Sequence, residues 1–186
     1  MKTHVATATL ARDRLIVWDP AEGSRLYRLG FYGKPVGISK PKTADFDKPL
    51  ILDLLEGFYL YEKGIITVVD QVTGQEASRE ELLKRCREAI DGFDEKYLVY
   101  KDLRDKGYVV TPGIKFGSDF AVYKKGPGID HAPYIIQVKV LKDSISATEI
   151  VRSGRLATTV RKRFVVAIPK PEENRVIYLL FNWFKA

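Results

Sequence analysis

Few side chains in this 186-residue chain could move a proton near neutral pH. Histidine is the residue type whose ordinary pKa lies there, and the sequence has two, His4 and His131. His4 stands near the terminus. His131 follows Lys124-Lys125-Gly126-Pro127-Gly128-Ile129-Asp130, a loop expected to be flexible, and precedes an apolar stretch. An imidazole held there could serve as general acid or base. A surface loop histidine without a task is an equal reading of the residue alone. Tyr123, eight residues earlier, closes the run Gly113-Ile114-Lys115-Phe116-Gly117-Ser118-Asp119-Phe120-Ala121-Val122-Tyr123. By itself it reads as the end of an amphipathic strand. Lys162 closes Arg155-Leu156-Ala157-Thr158-Thr159-Val160-Arg161-Lys162. By itself it is one cation of a cluster at a helix C-terminus, where positive charge is favoured.

Other chemistries lack their parts. The single cysteine, Cys86, lies between Arg85 and Arg87 in a helical stretch and cannot pair within the chain. It reads as a small core or boundary residue. There is no GxxxxGK[ST] loop and no GxGxxG turn, so nucleotide binding has no support. One Cys and two His are too few for a zinc site, which takes three or four such ligands. A magnesium nuclease would need clustered carboxylates, whereas Asp119, Asp130, Asp143 and Glu149 are scattered through the second half. Neither a metal nor a cofactor is expected. No apolar run approaches the roughly 18 residues of a membrane span, and no apolar signal core opens the chain. A soluble, cytoplasmic protein is expected.

Charge narrows the ligand. The net charge is +7, and residues 96–186 carry 17 Lys/Arg against 8 Asp/Glu, while residues 1–95 carry 14 against 16. A basic half beside a near-neutral half suggests a localised polyanion site. A salt-bridged surface of a heat-stable protein is the competing reading.

The elements that must position these residues follow from pattern. Residues 3–18 read as a hairpin around Arg12-Asp13-Arg14. Asp19-Pro20 and Gly23-Ser24 read as a break, followed by short strands over 24–39. Residues 39–48 form a basic loop with Lys40 and Lys42. Residues 50–62 have helical apolar spacing, ended by Gly64, and 65–70 is a β-branched strand. Ser78-Arg79-Glu80-Glu81 is a capping box, opening a helix to about Asp91. Asp94 is expected to cap the next helix, which Gly107 closes. Strands are expected at 108–111, 114–124 and 134–141. Ser146-Ala147-Thr148-Glu149 is a second capping box, opening a helix to about 160. Strands at 163–168 and 175–184 follow. The expected fold is α+β or α/β in two small domains. Residues 1–93 would form a mixed helix–strand domain for structure and assembly, and 94–186 a nuclease-like domain with a central mixed sheet.

The KFGSDF-x-VY segment, the histidine before a short apolar strand, and the R-x-A-x-x-V-x-K helix end occur here in order. Together, over roughly residues 94–186, they resemble the tRNA-splicing endonuclease family, specifically a catalytic subunit of the archaeal, crenarchaeal-like enzyme. The resemblance implies a triad of Tyr123, His131 and Lys162. It implies cleavage of precursor tRNA at bulge-helix-bulge junctions without a metal, leaving a 2′,3′-cyclic phosphate and a 5′-hydroxyl. Tyr123 would take the 2′-OH proton and His131 would protonate the departing 5′-oxygen. Lys162 would stabilise charge on the phosphorane. A phenol is a weak base at its ordinary pKa near 10, and a neighbouring ammonium is the group that would lower it.

The resemblance further implies that Arg155 and Trp183 grip a bulge base, and that Lys40 and Lys42 of loop 39–48 contact phosphate. It implies a four-unit assembly, with a structural partner subunit in an (αβ)2 heterotetramer favoured over a homotetramer. The edge-like tail Val176–Phe181 and the acidic pair Glu172-Glu173 would serve that assembly. A non-catalytic structural subunit and a basic RNA-binding module are the rival readings. Retention of all three triad residues argues against the first.

Overall fold

The computed structural model describes residues 4–39, 41, 43–159 and 161–181. The chain divides into two compact units, one up to Phe93 and one from Asp94 onward. The two-part α+β organisation is the one expected from the sequence, and each unit carries a mixed sheet of five strands.

In the first unit, β1 (Ala6–Ala11) and β2 (Arg14–Val17) form the antiparallel hairpin. Arg12 turns it with a positive φ of 56°. The expected break at residues 19–24 is instead the start of helix α1 (Pro20–Gly30). Asp19 caps it, accepting from the amides of Ala21 at 2.7 Å and Glu22 at 3.2 Å. Pro20 occupies the first turn, where its missing N–H costs nothing. Gly23 is a packing glycine: a Cβ there would meet Leu50 Cβ at 2.9 Å. Of the strands expected over 24–39, only the two-residue β3 (Lys34–Pro35) forms.

The helix expected over 50–62 is also corrected. Leu50–Leu52 is strand β4, and α2 (Leu54–Glu62) starts behind a capping box of Asp53 and Glu56. That box fixes the helix start, so the three apolar residues before it are free to pair with β2 and β3. Strand β5 (Ile66–Asp70) runs parallel to β1. Helix α3 (Arg79–Ala89) opens on the complete Ser78/Glu81 capping box. Cys86 is buried within it, and burial pushes its thiol up to about 12. It is packing, not a nucleophile.

The second unit opens with α4 (Phe93–Asp105), so Asp94 lies in the first turn instead of capping it. Strand β6 (Val109–Pro112) follows. The strand expected from 114 begins only at Phe120, as β7 (Phe120–Tyr123), because Ile114–Phe116 is a 3-10 turn closed by left-handed Gly117. Strand β8 (Tyr134–Val138) is next, then helix α5 (Ala147–Thr159). Ser146 Oγ accepts from the Glu149 amide at 3.1 Å, while the Glu149 carboxylate pairs with Lys139 at 3.0 Å. Strands β9 (Arg163–Lys170) and β10 (Arg175–Phe181) complete the unit.

The sheet order is β10-β9-β8-β7-β6, with β8 and β9 parallel across the α5 crossover and the other pairs antiparallel. The pleat sends alternate residues to opposite faces. One face buries Ile135, Phe164 and Val166 against Ala157 of α5, with Phe116, Ile168 and Phe181 packed around them. Each such fully buried apolar side chain contributes about 1.5–3 kcal/mol. On the other face, Tyr100 of α4 packs on Phe120 with ring centres 6.0 Å apart, and Arg104 donates to the Val110 carbonyl at 3.1 Å.

Candidate active site

Strand register aligns two of the three candidate residues. Val122 pairs with Tyr134, and Tyr134 pairs with Arg163. One residue further along, Tyr123, Pro133 and Lys162 therefore fall in one transverse row at the same end of the sheet. The bond from Arg163 N–H to the Pro133 carbonyl, 2.8 Å, continues the ladder to that row. Strands are spaced about 4.8 Å apart, so Tyr123 and Lys162 flank Pro133 across roughly 10 Å of backbone. Ala121, Ile135 and Phe164 share the face that α5 covers. Tyr123, two residues along β7 from Ala121, points to that same face, and Lys162, just ahead of β9, carries its ammonium there over Phe116. His131, two residues before Pro133, is exposed beside the row.

Lys162 is placed by the end of α5. The Lys162 amide donates to the Ala157 carbonyl at 2.7 Å, and the Arg161 amide to Thr158 at 3.0 Å. This is a Schellman closure, usually built on glycine. Here Arg161 takes the left-handed position with φ 56°. The Lys162 ammonium then donates to the Ala132 carbonyl at 2.8 Å and stands 5.0 Å from the centre of the Phe116 ring. Burial pulls its pKa below the ordinary lysine value. An ammonium has three donors, so two protons remain for another ligand. The Phe116 contact gives the Lys115-Phe116-Gly117 turn a role that sequence reasoning did not assign.

The loop carrying His131 is fastened, contrary to the flexibility expected of its glycines and proline. The Asp130 carboxylate accepts from three backbone amides: Lys124 at 3.1 Å, Lys125 at 3.0 Å and Gly126 at 2.8 Å. The amides of Ile129 and Asp130 both donate to the Gly126 carbonyl at 3.1 Å. Desolvation alone would raise the Asp130 pKa, but the three amide bonds outweigh it and hold the carboxyl below its ordinary value. Asp130 was missed as a site residue. An aspartate closing a glycine-rich loop is the type that captures backbone amides, and that signal was available.

Arg155 is exposed on α5, about two turns before Lys162. Lys40, Lys42 and Trp183 lie outside the described residues. Among the described residues, no group of three or more His, Cys, Asp or Glu stands where it could hold a metal ion. No helix among them is long and apolar enough to cross a membrane.

Tyr123 and Lys162 thus stand in one row at an end of a basic domain's sheet, with the exposed His131 two residues along the chain from that row. Such a set can take a proton, give a proton and neutralise an anion. Residues 93–178 match the catalytic C-terminal domain of the tRNA intron endonucleases, and residues 6–83 match the N-terminal domain of the same enzymes. The chain belongs to the tRNA intron endonuclease family. Its matched catalytic segment contains Tyr123, His131 and Lys162. It is 47% identical over 178 residues to a tRNA-splicing endonuclease of Hyperthermus butylicus, covering 96% of this chain and 98% of the relative. A tRNA-splicing endonuclease of Saccharolobus islandicus is 40% identical over 179 residues, again covering 96% and 98%. One from Sulfurisphaera tokodaii is 41% identical over 177 residues, covering 95% and 97%. These are crenarchaeal relatives, and the similarity runs through both units.

Proposed function

We propose that this chain is the catalytic subunit of a tRNA-splicing endonuclease, cutting precursor tRNA at bulge-helix-bulge junctions without a metal ion. The ribose 2′-oxygen attacks the adjacent phosphorus as Tyr123, acting as its phenolate, accepts the 2′-OH proton and becomes a phenol. A P–O bond forms to the 2′-oxygen, and the P–O5′ bond breaks. His131, as imidazolium, gives its proton to the departing 5′-oxygen. The products are a 2′,3′-cyclic phosphate and a 5′-hydroxyl. Lys162 carries the charge that builds on the phosphorane, the larger expected effect. Because the nucleophile is the 2′-hydroxyl, DNA is not a substrate.

The observation that carries this reading is the register row. It sets a half-buried tyrosine and a desolvated lysine on one face, with an exposed histidine beside them. A subunit kept only for assembly has no need of an ammonium held partly out of water.

Assembly with a structural subunit as (αβ)2 fits the same reading. Strand β10 is the sheet edge, and its Leu179 and Leu180 are each 44% exposed. An open apolar edge is a ready surface for another chain.

The test is incubation of a bulge-helix-bulge RNA with the purified chain in EDTA, alone and with a co-expressed partner, reading product ends by mass. Cutting that leaves a cyclic phosphate supports the reading. Binding without cutting, with or without a partner, makes the chain a structural or RNA-binding subunit.

A further inference from the structure

Three backbone bonds converge on one carboxylate directly between two of the proposed working groups. Lys124, whose amide donates to Asp130 Oδ2 at 3.1 Å, is the residue immediately after Tyr123. Asp130 itself is the residue immediately before His131. The Lys125 amide at 3.0 Å and the Gly126 amide at 2.8 Å complete the clamp. It therefore closes a loop whose two ends carry the phenol and the imidazole. We propose that Asp130 is a positioning residue that fixes the separation of Tyr123 and His131. The inference rests on the roles assigned to those two residues under the proposed function.

The physical need is plain. The loop holds Gly126, Pro127 and Gly128, and both glycines have positive φ, 140° and 85°. Glycine there restrains the backbone least, so chain stiffness alone would let His131 wander relative to Tyr123. The proton acceptor and the proton donor of an in-line displacement must sit on opposite sides of one phosphorus. An error of about 1 Å in such an arrangement can cost on the order of 10²-fold in rate. Asp130 removes that freedom by charge-assisted bonds, which are roughly twice as strong as neutral ones. On the other side of His131, the Ala132 carbonyl is tied to Lys162 Nζ at 2.8 Å. The histidine is thus pinned through both neighbours, toward Tyr123 by Asp130 and toward Lys162 by Ala132. Desolvation would raise the Asp130 pKa, and its lowered value follows from its use as an internal acceptor.

The test is a double-mutant cycle in single-turnover cleavage, on the assembled enzyme with saturating RNA. Asp130→Asn keeps the shape but offers one acceptor oxygen where two are used. We expect it to slow cleavage by about 10- to 100-fold, with the RNA dissociation constant within about twofold of the parent. In the His131→Ala background the same change adds no further loss, because Asp130 acts through His131. Asp130→Glu, which keeps the charge but moves the oxygens by one methylene, does not restore the rate. Melting curves of each variant set the assay temperature well inside the folded range. A parental rate for Asp130→Asn overturns the inference, as does equal loss in both backgrounds or a loss confined to RNA binding. A parental rate for His131→Ala is a separate result that overturns the proposed role of His131 itself.

Discussion

Lys162 donates its Nζ–H to the carbonyl of Ala132, 2.8 Å away, so the ammonium is anchored to the residue that follows His131. The bond joins the end of helix α5 to the loop ahead of β8. The ammonium is partly withdrawn from water, and under the proposed mechanism that would strengthen its hold on a developing phosphorane.

Lys162→Met is expected to cut the single-turnover rate by about 10²–10³-fold, the cost of one such charge-stabilising donor. Its stability signature has a definite sign. Burial lowers the Lys162 pKa in the folded chain, so the cost of holding the charge is fully present below the folded value. Between the folded pKa and the unfolded value near 10.4, the unfolded chain binds more protons, and stability rises with pH. The melting temperature of the parent, measured against Lys162→Met, should therefore climb on the alkaline side of neutrality. A gap that closes in the other direction would mean that the folded chain favours the charged form.

His131→Ala is expected to lose about 10²–10⁴-fold in rate on natural RNA. A substrate with sulfur in place of the 5′-bridging oxygen has a leaving group that departs unprotonated. On that substrate the variant should approach the parent. An equal loss on both would remove His131 from the leaving-group side.

Gly113→Ala tests the turn that brings Phe116 under Lys162. A Cβ at Gly113 would meet the Phe120 nitrogen at 2.7 Å and its carbonyl carbon at 2.8 Å. Backbone cannot swing away as a side-chain end can. A loss of about 1–3 kcal/mol follows, lowering the melting temperature by roughly 4 °C or more in a domain of this size. Melting at the parental temperature would contradict the close approach.

Arg155→Ala tests the exposed guanidinium on α5. Stacking on a base contributes about 1–3 kcal/mol, so binding of bulge-containing RNA should weaken by roughly 5- to 150-fold. Fully paired RNA of equal length should lose far less. Equal losses on the two would reduce Arg155 to a general phosphate contact.

What the sequence disclosed, and what it hid, has physical causes. Ser78 and Glu81 announce α3 because both halves of a capping box lie within four residues. Asp19-Pro20 is equally local but ambiguous, since the same pair opens a turn or a helix, and Gly23 looked like a breaker. Its reason lies 27 residues away in Leu50, which only the fold brings near. Leu50–Leu52 has apolar spacing that suits either element, and pairing with β2 decided it. Tyr123, His131 and Lys162 could be proposed from the order of motifs, but the row shared by Tyr123 and Lys162 depends on strand register. Phe116 and Asp130 escaped because their tasks are contacts with Lys162 and with backbone amides. Arg161 in a left-handed cap contradicts residue preference, and nothing local foretells it.

The most direct measurement is a crystal structure of the assembled enzyme on a precursor RNA whose 2′-hydroxyl at the cut site is replaced by hydrogen, leaving the bond intact. Tyr123 Oη should lie toward the 2′ position and a His131 ring nitrogen toward the 5′-oxygen. Lys162 Nζ should sit on a non-bridging oxygen of the same phosphate, each within about 2.6–3.2 Å or one bridging water. A phosphate bound elsewhere on the chain, or any of the three side chains turned away from it, would rule out the proposed triad.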